Sequence, residues 1–154
     1  MKNLLLVAAL FLSVTSFAQS AQEEVDLLQS MYGMQKKDIV ADFIKLEGAQ
    51  KDAFWKLYDA YELERQALGV RRINLLGAYA ENYGTLDDTK IDAMVKEMND
   101  LGLKNDKLIS TYYKKMTKPV GYKAAAKFTQ IEYYLLSTIR AEILEEIPFI
   151  GELD

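Results

Sequence analysis

Glu142, Glu145 and Glu146 stand at i, i+3 and i+4. On a helix that spacing lets carboxylates share one hard cation such as calcium, although a solvated acidic face explains the same three residues. Asp87, Asp88 and Asp92 read more simply as charges favoured by a helix N-terminus. Beyond its carboxylates the chain offers little for catalysis. It contains no His and no Cys. Hydrolytic triads need a base that titrates near neutral pH, and Ser30, Ser110 and Ser137 each lack the Lys three residues on that a Ser-Lys pair would use. Cys/His zinc sites and Glu-x-x-His di-iron sites are excluded with their ligands. None of the eight glycines builds a G-x-G-x-x-G or Walker loop. The composition points away from an enzyme and implies no cofactor and no metal.

A second constellation is suited to binding. Residues 104–127 carry Lys104, Lys107, Lys114, Lys115, Lys118, Lys123 and Lys127 against Asp106 alone, a local charge of +6. Tyr112, Tyr113 and Tyr122 are interleaved with them, and tyrosine offers apolar area with a polar tip. Residues 132–154 are acidic, at −5. A basic, tyrosine-bearing segment of this kind can meet acidic proteins, anionic lipid or nucleic acid. The plainer alternative is that these lysines solvate two helix ends and pair with the acidic last helix. We take Lys114, Lys115, Lys118, Tyr122 and Lys123, with Tyr112 and Tyr113, as the candidate binding residues.

The elements that position these residues follow from apolar spacing. Ile39, Val40, Phe43, Ile44 and Leu46 form a short apolar face ending near Gly48. Phe54, Tyr58, Tyr61, Leu68, Leu75, Leu76, Tyr79 and Tyr83 follow at helical period, with Arg65 and Arg72 on the same stripe. Phe54, Tyr58 and Tyr61 are predicted core; Trp55, one residue off the stripe, broadens its apolar arc. Gly84 suits a left-handed C′ position, and Thr85 to Asp88 resembles a capping box. A third helix runs from about Ile91 to Met116, with Gly102 and Asn105 weakening its middle. Thr117 to Gly121, around Pro119, reads as a turn. The last helix spans about Lys123 to Glu146, ended by Pro148. No segment shows strand-like alternation. The expectation is an all-α protein: one short and three long helices in bent antiparallel hairpins, forming an elongated, cradle-like layer, with Gly69 and Gly77 as candidate bends.

The first 18 residues carry Lys2, an apolar run from Leu4 to Leu12 and small residues at Ser16 and Ala18, the pattern of a cleaved secretory signal too short to span a membrane. Residues 19–37 read as a loose arm and 38–154 as the helical domain. Export argues against nucleic acid as the partner and leaves membrane contact at most peripheral. Without Cys, the exported chain must be held by packing alone.

Leu46-Glu47-Gly48-Ala49-Gln50 resembles the L-T-x-x-Q motif of the Spy/CpxP family of periplasmic helical proteins. It is followed by an F-W-x-L-Y-x-x-Y-x-x-E-R run from Phe54 to Arg65. A second, weaker copy is Phe128-Thr129-Gln130-Ile131-Glu132, set within a helix. The resemblance covers about residues 38–146. Glu47 stands where the motif has Thr, so the usual helix cap is lost or passes to a carboxylate; Phe128 and Glu132 replace the second copy's Leu and Gln. The resemblance implies a periplasmic location and an ATP-independent chaperone, active as an antiparallel homodimer that holds unfolded or stress-damaged envelope proteins through mixed apolar and basic contacts. Its alternative is an envelope-stress adaptor that docks on a single partner. The family's metal-sensing branch relies on His-rich chemistry that this chain lacks.

Overall fold

The computed structural model describes residues 35–152, and these are all-α, with no strand among them. Helix α1 covers residues 35–44, α2 Gly48–Asn82, α3 Asp88–Val120 and α4 Tyr122–Glu146; a 3-10 turn, Tyr83–Thr85, leaves α2. One short and three long helices are thus present, as the periodicity predicts. The signal sequence over 1–18 and most of the arm, 19–34, lie outside the described residues. No helix among the described residues is long and apolar enough to cross a membrane.

Several boundaries differ from the sequence reading, each for a local reason. Lys36 and Lys37, assigned to the arm, belong to α1, because Lys36 is 3 % exposed and ion-paired to two other helices. Gly84 is not a left-handed cap; positive φ occurs instead at Lys45, Gly48, Gly121 and Gly151, and α2 ends by tightening into the 3-10 turn. Thr85 does not cap α3, since its hydroxyl donates back to the Asn82 carbonyl. Asp87 is the cap, its carboxylate accepting from the Lys90 amide at 2.9 Å. Gly102 and Asn105 do not interrupt α3, and the Asn105 amide donates to the Leu101 carbonyl. Pro119 is not in a turn but inside the last turn of α3. Met116 and Val120, four residues apart, are both buried there, and that burial outweighs the one backbone bond Pro119 cannot donate. The chain turns at Gly121 alone, at φ 85°, and the Gly121 amide donates to the Thr117 carbonyl. Gly69 and Gly77 lie within the uninterrupted α2.

Helices α2 and α3 form an antiparallel hairpin. The Tyr61 and Tyr112 rings meet at 5.5 Å near its start, and Arg71 reaches Glu97 and Asp100 further along. Gly121 folds α4 back along α3, so α4 runs in the direction of α2. Phe128 contacts Tyr58 and Tyr61 at one level. At the far level the Tyr79 and Tyr83 hydroxyls donate to the carbonyls of Pro148 and Phe149.

Burial divides this arrangement in two. The core gathers Val40 and Ile44 of α1, Phe54, Tyr58 and Tyr61 of α2, Ile109, Tyr112, Met116 and Val120 of α3, and Ala125, Phe128 and Ile131 of α4. Beyond Tyr61 on α2, before Leu101 on α3 and beyond Glu132 on α4, no described residue is fully buried. Helix α1 supplies a fourth layer at one end only.

Candidate functional site

Two groups of residues stand out by chemistry, one inside the molecule and one on its surface. The inner one begins with Lys36, Val40 and Ile44, four residues apart and hence on one face of α1. That face packs on the aromatic run, and Lys36 carries its ammonium into the core. The Nζ atom donates to Glu132 Oε2 and Glu62 Oε1, each at 2.6 Å, and lies over the Tyr58 and Tyr61 rings. Glu132 is 2 % exposed. It accepts from the Tyr61 hydroxyl at 2.6 Å and, on its other oxygen, from Tyr58 at 3.3 Å. Arg65 Nε donates to Glu62 at 2.9 Å.

The electrostatics follow from burial. Burial pushes the Tyr58 and Tyr61 phenols well above their ordinary value, and the Glu132 charge pushes them further. Burial would raise Glu62, but Lys36 and Arg65 outweigh it and hold its carboxyl below the ordinary carboxylate value. All three directions lead away from neutrality. The cluster is a closed strap that ties α1 to α2 and α4.

This strap unites residues the sequence singled out separately. Phe54, Tyr58 and Tyr61 from the aromatic run, with Phe128 and Glu132 from the second motif copy, share one core. Trp55 packs at its edge, with its ring 5.1 Å from that of Phe54. Leu46 packs against the core, Gln50 is exposed, and the Thr129 hydroxyl donates to the Ala125 carbonyl of its own helix. Glu47 occupies the N-cap of α2 but makes no side-chain cap bond. Lys36 and Glu62 escaped the sequence reading because their partners lie 26 and 96 residues from Lys36. The available signal was a lysine in register with Val40 and Ile44.

The surface group lies where α3 meets α4. Lys114, Lys115, Lys118, Tyr122 and Lys123 are all exposed, Tyr122 at 74 %. None of these four lysines makes an ion pair among the described residues, unlike Lys96 and Lys104, each bonded to an aspartate four residues earlier. Pairing of these four lysines with the last helix is thus not seen among the described residues, whereas their exposure fits lysines that solvate the helix ends. Lys115 Nζ lies 4.1 Å from the centre of the Tyr112 ring. Tyr112 is separate from the exposed patch: it is 2 % exposed and donates its hydroxyl to Glu64 at 2.7 Å. Burial, together with that bond, pushes its phenol up to about 12. Tyr113 is half-buried against the core.

Of the three carboxylates first considered, Glu142 and Glu145 are on α4, and the Glu146 side chain lies outside the described residues. No group of three or more acidic, His or Cys side chains is arranged to hold a metal ion among the described residues. Comparison with protein-family models, curated proteins and solved structures finds no match to this chain.

Proposed function

We propose that this chain is an exported, ATP-independent, chaperone-like binding protein of the Spy/CpxP type, which holds unfolded or partly folded periplasmic proteins and acts by contact rather than catalysis. The observation that carries the reading is the cluster of Lys114, Lys115, Lys118 and Lys123 around Gly121, exposed, without ion-pair partners among the described residues, and flanked by the exposed Tyr122. Unneutralised positive charge beside apolar area suits loose, sequence-tolerant contact with acidic, partly unfolded segments. Apolar side chains elsewhere support it: Leu63 and Leu103 are more than 70 % exposed, and Val95, Met98, Tyr134 and Leu144 are also exposed. Exposed apolar surface of this kind is where a client or a second copy would be covered. Homodimerisation belongs to the same proposal.

The test is an aggregation assay with several unrelated clients. Replacing Lys114, Lys115, Lys118 and Lys123 together by Glu should leave the circular dichroism spectrum and melting temperature nearly unchanged. It should weaken protection of acidic clients, and wild-type protection should fade with salt, because exposed charges are screened beyond about 10 Å at 0.1 M. Undiminished protection by the lysine variant at low salt would remove these residues from the binding surface. Absence of protection for every client would instead favour an adaptor that docks on one partner.

A further inference from the structure

Helices α2 and α4 run in the same direction and are bridged by side chains at two levels, Tyr61 with Glu132 at one and Tyr79 with Pro148 at the other. Arg72 stands 11 residues beyond Tyr61, and Arg140 stands 8 residues beyond Glu132. At about 1.5 Å per residue the two arginines lie at nearly the same height between those contacts. Arg72 shares the stripe of Tyr61, Arg65 and Tyr79, whereas Phe128, Glu132, Leu136 and Arg140 follow one another at four-residue steps on α4.

The remaining arginines of the described chain have partners. Glu62 accepts from Arg65, and Glu97 and Asp100 accept from Arg71. Arg72 and Arg140 make no ion pair among the described residues. Nε and Nη2 of Arg140 are both shut off from solvent with no acceptor among those residues. Burial, and then the Arg140 charge, hold the Arg72 guanidinium below its ordinary value, as expected for neighbouring like charges without an acid between them. Five donors on each planar guanidinium suit an acceptor with two or more oxygens.

We propose that Arg72 and Arg140 form an anion-binding site between α2 and α4 whose ligand is a small oxoanion, a carboxylate or a phosphate, accepting from both guanidiniums. A ligand there would replace a repulsion between two cations with two charge-assisted contacts. It would bridge α2 and α4 in the half of the molecule that has no buried core. The site is independent of the lysine cluster and does not rest on the chaperone reading.

The experiment follows the arginine Nε–H resonances of the full chain by NMR. Sodium phosphate and sodium acetate are titrated in separately at constant ionic strength. Arg72 and Arg140 should show saturable shifts while Arg71, already held by two carboxylates, should not. R72Q and R140Q should each weaken the interaction about ten-fold or more, the scale of one lost hydrogen bond to a charged group. Lys96→Gln, at an exposed ion pair remote in sequence from both arginines, should leave it unchanged. Saturation by phosphate alone assigns a tetrahedral ligand, and saturation by acetate assigns a carboxylate. Linear, unsaturated shifts in wild type, or equal affinity in R72Q, R140Q and wild type, would overturn the site. The wild-type resonances decide the matter even if a variant fails to fold.

Discussion

The end of the molecule that carries α1 and the end that carries the α2–α3 turn are built from the same three long helices, yet they are held differently. At the first, a fourth helix closes the layer, Phe54, Tyr58, Tyr61 and Phe128 are packed ring against ring, and the Lys36, Glu62 and Glu132 charges are inside and paired. At the second, no described residue is fully buried, ion pairs such as Lys96–Asp92 lie on the surface, and Arg72 and Arg140 have no counter-charge among the described residues. Helical periodicity is satisfied in both. What separates them is whether an apolar stripe finds a partner layer, and α1, described over residues 35–44, provides it at one end.

The comparison is broken most directly at Glu132. Glu132→Ala leaves the Lys36 ammonium buried beside Glu62 alone and should cost about 3–5 kcal/mol in denaturant unfolding. Changing Lys36→Met together with Glu132→Leu should recover much of that loss. A double variant as unstable as Glu132→Ala would mean that the tyrosine hydroxyls, not the lysine, are what Glu132 serves. Tyr58→Ala tests the apolar part of the same end and should also cost about 3–5 kcal/mol, as for other buried aromatics.

Acid should act on the packed end. Because Glu62 is held below its ordinary value of about 4.5, its stabilising contribution is complete above that pH and is lost as the pH falls below it. Glu62→Gln should flatten that acid limb in a pH series of melting temperatures. At the alkaline end, Tyr58 and Tyr61 remain protonated in the folded chain while unfolded tyrosines ionise near 10, so stability should fall as the pH rises past that value. Amide exchange sharpens the contrast without mutation. Residues 54–61 and 105–131 should be the slowest to exchange, and residues 70–98 markedly faster. The smallest effect belongs to Leu144→Ala, on an exposed side chain of the open end, which should change stability by about 0.5 kcal/mol or less.

The sequence made the helices and half of the core legible because periodicity is local: Phe54, Tyr58 and Tyr61 declare a buried stripe without knowledge of what covers it. Helix ends were less legible, since several residues competed for each role. Asp87, not Thr85, took the cap, and Gly121, not Pro119, took the turn. The strap was not legible at all, because nothing in spacing announces that Lys36 will meet a carboxylate 96 residues away. The exposed lysines were named as candidates from charge density, but their lack of partners required the fold. The Arg72–Arg140 pair required it too, since only the parallel course of α2 and α4 brings the two to one level.

Trp55 is the chain's only tryptophan, and it sits where α1 meets α2, with the Lys37 ammonium 5.1 Å from its ring centre and the Tyr58 ring 5.3 Å away. The protein therefore carries an intrinsic fluorophore confined to one end. Its emission will report undocking of α1, through loss of the cation over the indole, and will stay silent while the opposite end opens. An optical unfolding curve and a far-ultraviolet dichroism curve need not coincide for this chain. Any gap between them measures how independently the two ends come apart.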